Sequence, residues 1–406
     1  MGAGARTMSA IFMPSRAAGL ERLAAFVPHA GADYADGRNT DPGPDQPGAV
    51  SRLSPWLRYR LISEGEVVDA VLARHTLGAA EKYVQEVLWR TYWKGWLEMR
   101  PGVWSCFVAE RDRQRENWVY PKGLAEAEQG RTGIEGFDDW AQELVETGYL
   151  HNHARMWFAS IWIFTLKLPW ALGADFFLRH LIDADAASNT LSWRWVAGLQ
   201  TVGKTYLATT ENIARYTGGR FAPKGLALHA EPLTEPPVPA PVPLSEPERG
   251  VLGEPALLLV TPEDLNPDQS VWRSSDIRGV LVTSDPHLLW GDQARAFVSA
   301  AAQDCATLLQ AERGVPVTMA ARMDAATLAA AAEAAGVRQI VTPYAPIGPV
   351  ADALAGLKLQ LGKGGVDLIE ARRRWDETFW PHARKGFFPF KQQMPRLLEE
   401  LGLTRG

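Results

Sequence analysis

Between Glu231 and Gly250 the sequence reads EPLTEPPVPAPVPLSEPERG. Proline lacks the backbone donor and has a fixed φ, so this run can be neither helix interior nor central strand. An extended, polyproline-like segment is expected there. Whatever folds in this chain folds on either side of it. The boundaries we read are a helical domain at 1–222, a Pro-rich linker at 223–254 and an α/β domain at 255–406. At ~3.1 Å per residue, about 30 extended residues reach ~90 Å, enough to set the second part on any face of the first.

The hydrophobic period changes across the linker. Before it, apolar side chains recur every three or four residues through Leu20–Phe26, Ala79–Met99, Phe137–Glu146, His151–Phe164 and Asp175–Leu181, which is a helical pattern. After it, short apolar runs at 256–261, 279–283, 315–320, 339–342 and 366–370 alternate with helical segments at 293–312, 325–335 and 350–361. That alternation predicts a doubly wound, mostly parallel sheet. No G-x-G-x-x-G follows its first strand, so the dinucleotide fingerprint is missing. The predicted fold class is therefore an all-helical domain followed by a doubly wound parallel α/β domain, with an aromatic and then helical tail from Trp375 to Leu401.

Composition removes several function classes. The longest apolar stretch, Trp157–Trp170, is broken by Lys167 and Pro169 and falls short of the ~20 residues a membrane span needs. The N-terminus shows no charged-then-apolar leader, so a cytoplasmic, monomeric protein without membrane contact is expected. Cys106 and Cys305 cannot supply a disulfide framework or an iron–sulfur cluster. A net charge of −5 gives no global signature for nucleic acid, so any such contact must be a local patch. The anomaly is tryptophan: 16 in all, 12 of them before residue 200, which calls for a use beyond packing.

Gly198–Thr205 (GLQTVGKT) fits the P-loop pattern G-x-x-x-x-G-K-[ST]. A working P-loop needs a strand entering and a helix leaving. Here a helical, Trp-bearing segment precedes the loop, which keeps a P-loop NTPase only as a remote alternative.

Three clusters carry polar side chains at helical spacing. Glu86, Trp89 and Arg90 fall at i, i+3 and i+4, either a stacking pocket for a planar ligand or a buried Trp with an ordinary ion pair. Asn152, Arg155 and Met156 repeat the spacing, whereas His151 and His153, two apart, are poorly placed as joint metal ligands. No metal is expected. In LIDADAASNTLSWRW (Leu181–Trp195), Asp183 and Asp185 sit in an apolar context that demands partners, with Arg155 the evident one. Asn189 offers an amide; Trp193 and Trp195 point different ways. Taken alone, this cluster also suits a helix start with capping acids.

VSRLSPWL (Val50–Leu57), EVLWRTYW (Glu86–Trp93), TGYLHNHARM (Thr147–Met156) and LIDADAASNTLSWRW together resemble, in order and spacing, the FAD-binding helical domain of the DNA photolyase and cryptochrome family. ENIARYTGGRF (Glu211–Phe221) is a weaker match. The resemblance implies FAD as cofactor, with Tyr34 and the turn Val50, Ser51, Arg52, Leu53 and Ser54 at its diphosphate. It implies Arg155 and Asp183 as a pair beside the isoalloxazine, Asp185 at its far edge and Asn189 facing N5. It implies Glu86, Trp89, Arg90, Asn152, Met156 and Trp195 as the pocket for a flipped-out cyclobutane pyrimidine dimer, with Glu86 also acting in catalysis. Trp193, Trp170 and Trp118 resemble the family's electron-hopping chain; taken singly, each reads as core packing.

The implied activity is light-driven repair of pyrimidine dimers by electron transfer from photoexcited reduced FAD, a deoxyribodipyrimidine photo-lyase. The alternative is a blue-light receptor that binds FAD without repair. Two departures from the family pattern matter. The α/β part follows the helical part instead of preceding it, so an exchange of domain order is expected, and no residues securely match a second, antenna chromophore. After Trp195 the usual phosphate-gripping Arg is missing, with Ala208 and Thr209 near its position and Lys204 the only nearby cation. Residues 1–222 hold 24 Lys and Arg against 25 Asp and Glu, so weak DNA binding or a preference for single strands is expected.

Overall fold

Short polar side chains set where the helices begin. Ser15, Thr76, Asp185 and Thr209 each accept a hydrogen bond from a backbone N–H in the first turn, and Ser63 with Glu66 forms a complete capping box. The structure, a computed structural model, describes residues 12–249, 251, 253–267 and 275–404. Residues 1–11, on which the reading of a missing leader rests, lie outside it, as do Gly250 and Leu252 of the linker and the last two residues of the tail.

Twelve helices precede the linker among the described residues: α1 (Arg16–Phe26), α2 (Ala32–Gly37), α3 (Ser54–Arg58), α4 (Glu64–Leu72), α5 (Leu77–Glu98), α6 (Pro101–Asn117), α7 (Pro121–Glu128), α8 (Phe137–Thr147), α9 (Asn152–Ser160), α10 (Trp170–His180), α11 (Ala186–Val196) and α12 (Thr210–Tyr216). The expected helix at His151–Phe164 is interrupted. It leaves α geometry at Ile161 for a π turn, closed by the Leu166 N–H on the Ile161 carbonyl at 2.9 Å, and Lys167 then ends it in a left-handed conformation (φ 56°). Helix α10 starts at Trp170, five residues before the expected Asp175, because Pro169 suits a helix entrance.

Beyond the linker come β1 (Pro255–Val260), β2 (Asp276–Thr283), α13 (Asp292–Arg313), β3 (Val317–Ala320), α14 (Ala325–Ala334), β4 (Gln339–Pro343), α15 (Pro349–Lys363) and β5 (Asp367–Ala371). The five strands are all parallel in the order β3-β2-β1-β4-β5, the doubly wound arrangement. Central β1 shows how the sheet is covered. Leu257 and Leu259 face α14 and α15, while Leu258 and Val260 face Phe297, Val298 and Ala301 of α13. Helix α13 is also packed on its far side, where Phe297 meets Trp56 and Tyr59, so sheet, α13 and helical half share one continuous core.

Residues 223–249 hold no helix or strand, yet they are not a free spacer. Leu233 and Val242 donate backbone bonds to the carbonyls of Ala197 and Met99, Glu235 accepts from Trp170 and pairs with Arg194, and Glu248 pairs with Lys358. The tail forms α16 (Arg374–Phe379), α17 (Phe387–Lys391) and α18 (Met394–Glu400) and lies along α5. Trp375 donates to Thr91 at 3.0 Å, Asp376 takes Arg60 at 2.8 Å, and Trp380 fills the notch left by Gly95. The tail thus packs against α5 on one side and, through Trp380 on Tyr344, against the α/β part on the other.

In a doubly wound sheet the ligand crevice lies beyond the strand ends where the order reverses, here between β1 and β4. Protein fills that space. Glu263 after β1 holds Arg58 at 2.7 and 2.8 Å, Asp264 holds Arg373 at 2.5 and 2.7 Å, and Tyr344 after β4 donates to Glu98 at 2.7 Å.

Candidate functional site

Helix α11 packs against both α5 and α9, and on all three the candidate substrate-pocket residues are the accessible ones. Val87 and Leu88 are buried while Glu86 is exposed and Trp89 and Arg90 are half-buried. Ala154 and Trp157 are buried while Asn152 is exposed and Met156 half-buried; Trp193 and Val196 are buried while Trp195 is half-buried. Glu86 has accessible surface, yet desolvation raises its carboxyl pKa, with Arg38 and Arg90 pulling the other way. Both hold for a group that lines an internal cleft, reached by water and walled by protein.

Charge gathers on one side of that cleft. Asp185 caps α11, accepting from the Ser188 N–H at 2.7 Å, and lies 3.6 Å from Lys94, 3.6 Å from Arg58 and 3.7 Å from Arg90. Lys94, Arg58 and Arg90 hold its carboxyl well below the usual carboxylate range, against burial. Asp183 takes Arg155 at 3.0 Å on Oδ2; Oδ1 has no hydrogen bond of ordinary length, with the Ser54 hydroxyl beside it. The expected Arg155–Asp183 contact is therefore present, whereas Asp185 is matched by three cations that spacing did not pair with it. Buried Lys94 Nζ and one Arg90 nitrogen likewise make no hydrogen bond.

The other end of the cleft begins at the turn before α3. Arg52 is a non-glycine residue at φ 54°, a strained conformation of the kind found where a backbone is shaped around a ligand. One of its terminal nitrogens donates to the Gln46 carbonyl at 2.6 Å and its buried Nε has no partner. Arg52 and Arg155 each lie 5.7 Å from the Tyr149 ring. Val50, Ser51 and Ser54 are half-buried and Leu53 is buried; Tyr34 is buried edge-on against Phe26 and Tyr83. The Asn189 amide nitrogen donates one hydrogen bond to the Ala174 carbonyl at 2.9 Å, which fixes the group and leaves its oxygen and second N–H for a ligand.

Beside this turn, burial and neighbouring Asp41 push the Glu143 carboxyl up to about 8, with Arg220 and Arg52 opposing. The folded chain therefore holds a proton that an unfolded carboxylate, with pKa about 4.3, has lost. Stability from this group falls as pH rises between those two values. Glu143→Gln is expected to flatten that fall, so wild type should lose stability relative to the variant from pH 5 to pH 8. Denaturant unfolding at each pH reads this, and parallel curves would clear Glu143.

The three tryptophans lie at decreasing depth. Trp193 (2% exposed) is walled by Phe158, Trp162 and Phe177 at 6.4, 6.2 and 5.1 Å. Trp170 (6%) lies by Phe107 at 5.6 Å and donates to Glu235, and half-buried Trp118 donates to the Tyr120 carbonyl at 3.0 Å. The ring contacts described for these three are with other residues, not with one another. Trp195 stacks on Tyr206 at 5.8 Å. His153 bonds the Asn39 carbonyl and Tyr206 hydroxyl, and His151 caps α9.

The P-loop alternative is overturned by its surroundings. Gly198–Thr205 follows α11 directly, no strand enters it among the described residues, and the next helix waits until Thr210.

Sequence spacing missed four contributors. Lys94 had a signal, because Glu86, Arg90 and Lys94 follow at i, i+4 and i+8 on one helix face. Arg58 with Glu263, and Phe387, which stacks on Trp89 at 3.6 Å, had none, since each meets its partner across more than 200 residues.

Arg52 Nε, an Arg90 nitrogen and Lys94 Nζ make no hydrogen bond, although the last two face Asp185; with the open oxygens of Asp183 and Asn189 they suit an extended anionic ligand carrying a planar ring with N–H groups. Residues 83–223 match the family model described as FAD binding domain of DNA photolyase. A deoxyribodipyrimidine photo-lyase of Streptomyces griseus is 36% identical over 171 residues, 42% of this chain and 36% of that protein. One from Agrobacterium fabrum is 32% identical over 202 residues, 48% of this chain and 40% of that protein. The chain thus spans about two fifths of the length of these relatives. A bacterial class III photolyase structure from Agrobacterium tumefaciens aligns with a TM-score of 0.46 at 28% identity, over 53% of this chain and 45% of that one.

Proposed function

Because its helical half belongs to the photolyase and cryptochrome family of FAD-binding domains, we propose that this chain repairs cyclobutane pyrimidine dimers in DNA under blue light. The observation that carries the reading is the set of accessible side chains on α5, α9 and α11, with Glu86, Trp89, Asn152, Met156 and Trp195 standing out from buried neighbours. FAD, when bound, supplies light absorption and the electron. Arg52 with Ser51 and Ser54 offers a cation and hydroxyls to the diphosphate, and Tyr34 and Val50 close that end. The Arg155–Asp183 pair and Asp185, immobilised by three cations, fix polar contacts along the ring. Asn189, held by its bond to the Ala174 carbonyl, has its oxygen as acceptor and one N–H as donor for the ring.

Trp195 and the part of half-buried Trp89 that Phe387 leaves open provide apolar stacking surface for an extruded dimer, and Asn152 and Arg90 its polar edges. Glu86, with its pKa raised by burial, can carry a proton and donate a hydrogen bond to a dimer carbonyl as negative charge grows on it. Trp193, Trp170 and Trp118 give oxidisable side chains from core toward surface. We further place the protein as a monomer that favours single-stranded lesions, where no partner strand must be displaced. We also infer that its α/β part, which follows the helical part in sequence, stands in for the family's preceding domain.

The test is an anaerobic assay of photoreduced protein with a thymine-dimer oligonucleotide, in blue light and in darkness, with the flavin spectrum recorded. Dimer loss in light alone is expected. A flavin that photoreduces without repair would overturn the reading in favour of a photoreceptor, and protein that binds no flavin would overturn both. In the same assay Glu86→Ala should lower the repair yield severalfold at unchanged flavin content; an unchanged yield removes Glu86 from the chemistry.

A further inference from the structure

If the helical half has a net charge of −1 and lacks the phosphate-gripping Arg after Trp195, something else must hold the backbone of a nucleic acid. Arg384–Lys391 reads RKGFFPFK: three cations, three phenylalanines and no acid in eight residues. The structure lays this segment against the candidate pocket. Phe387 stacks face to face on Trp89, with ring centres 3.6 Å apart and planes within 9°. The Arg384 carbonyl accepts from Arg100 at 2.7 Å and the Lys385 carbonyl from Tyr92 at 2.8 Å, so two successive residues are pinned, one to the start of α6 and one to α5.

The side chains that follow from this pinning are free. Arg384 and Lys385 are both exposed, and neither has a carboxylate at ion-pair distance among the described residues, whereas Lys391 is taken by Glu81 at 2.9 Å. Phe387 and Phe390 are buried, but Phe388 between them is 78% exposed, held outward by its buried neighbours and Pro389. An exposed aromatic ring beside two unpaired cations, on a rigid segment touching a stacking tryptophan, is the chemistry of a single-stranded nucleic-acid contact.

We propose that Arg384, Lys385 and Phe388 form the lip of the substrate site: the two cations hold phosphates flanking the lesion, and Phe388 stacks on a base next to it. The proposal rests on the repair reading for its substrate. It makes the tail a part of the site that the helical half alone does not contain.

Binding of the full, FAD-loaded chain to a dimer-containing single-stranded oligonucleotide is measured by anisotropy from low to high salt, alongside repair of a thymine-dimer dinucleotide that lacks flanking phosphates. Arg384→Ala with Lys385→Ala should lower the slope of log K against log salt by about 1.4, at roughly 0.7 per phosphate on a single strand. Dinucleotide repair and flavin content should stay as in wild type. Phe388→Ala should weaken oligonucleotide binding severalfold at an unchanged salt slope, because stacking releases no counterions. An unchanged slope in the double variant overturns the proposal. So does an equal loss of dinucleotide repair, which would place these residues in the pocket itself. Should wild type bind the oligonucleotide without repairing it, the repair reading falls while the slope still judges the lip. If wild type binds no DNA, the lip falls too, and the patch would be a docking surface for an acidic protein.

Discussion

Replacing Arg58 by Met is expected to cost about 3–5 kcal/mol of stability, because it strips a buried charge cluster of its bridge. Arg58 is 3% exposed, and its terminal nitrogens grip both oxygens of Glu263 while Nε donates to the Ala184 carbonyl at 2.6 Å. Asp185 lies 3.6 Å away on the other side. One guanidinium therefore neutralises a carboxylate at the end of β1 and another at the cleft. Without it Glu263 stays buried and unpaired, and both the interface and the cleft lose their support. The double variant Arg58→Met with Glu263→Met removes both charges and should recover most of the loss, since buried ion pairs are often replaceable by apolar groups of similar volume. Asp185 keeps Lys94 and Arg90. Denaturant unfolding of wild type, single and double variants measures this. A single variant as stable as the double would mean that Glu263 finds water, and that the interface is looser than the geometry implies.

Gly173→Ala should damage the electron path from a distance. A Cβ on Gly173 would lie 2.3 Å from a ring carbon of Trp193 and 2.9 Å from the Trp162 nitrogen. Trp193 has nowhere to go, being enclosed by Phe158, Phe177 and Trp162, so either the indole tilts or α10 shifts. Overpacking of this kind costs about 1–3 kcal/mol. If Trp193 relays electrons, light-driven reduction of the bound flavin should slow severalfold in Gly173→Ala and fail in Trp193→Phe. Chemically reduced Trp193→Phe should still repair. Photoreduction at the wild-type rate in Trp193→Phe would take this indole out of the path.

Periodicity located the regular elements because burial has a period: all five strands and the three long helices of the α/β half fall within a few residues of where alternation puts them. It located the site only where partners share a helix or a motif. Glu86, Trp89 and Arg90 are legible together on α5, as are Asn152 and Met156 on α9. Arg58 is not, because nothing local distinguishes an Arg bound to Glu263 from an Arg in solvent. The stacking of Phe387 on Trp89 is equally invisible, since apolar aromatics near a chain's end look the same whether they pack on a neighbour or on each other. What ties the linker down was not legible for a related reason. Proline content rules out helix and strand, but says nothing about bonds from the remaining N–H groups and carboxylates, such as those of Leu233 and Glu235, to the surface they cross.

The buried charges also set an order of events during synthesis. Arg58 leaves the ribosome 205 residues ahead of Glu263, and Arg60 leaves 316 residues ahead of Asp376. At about 5–20 residues per second, Arg60 waits roughly 15–60 s for its partner. Through that interval Arg60 has Glu64 beside it, at 3.5 Å, but lacks Asp376 and Asp264, so the nascent helical half must stay hydrated along this face. Its last surfaces can dry only when the final thirty or so residues arrive. This face of the helical half is thus closed last, by the segment that carries Asp376.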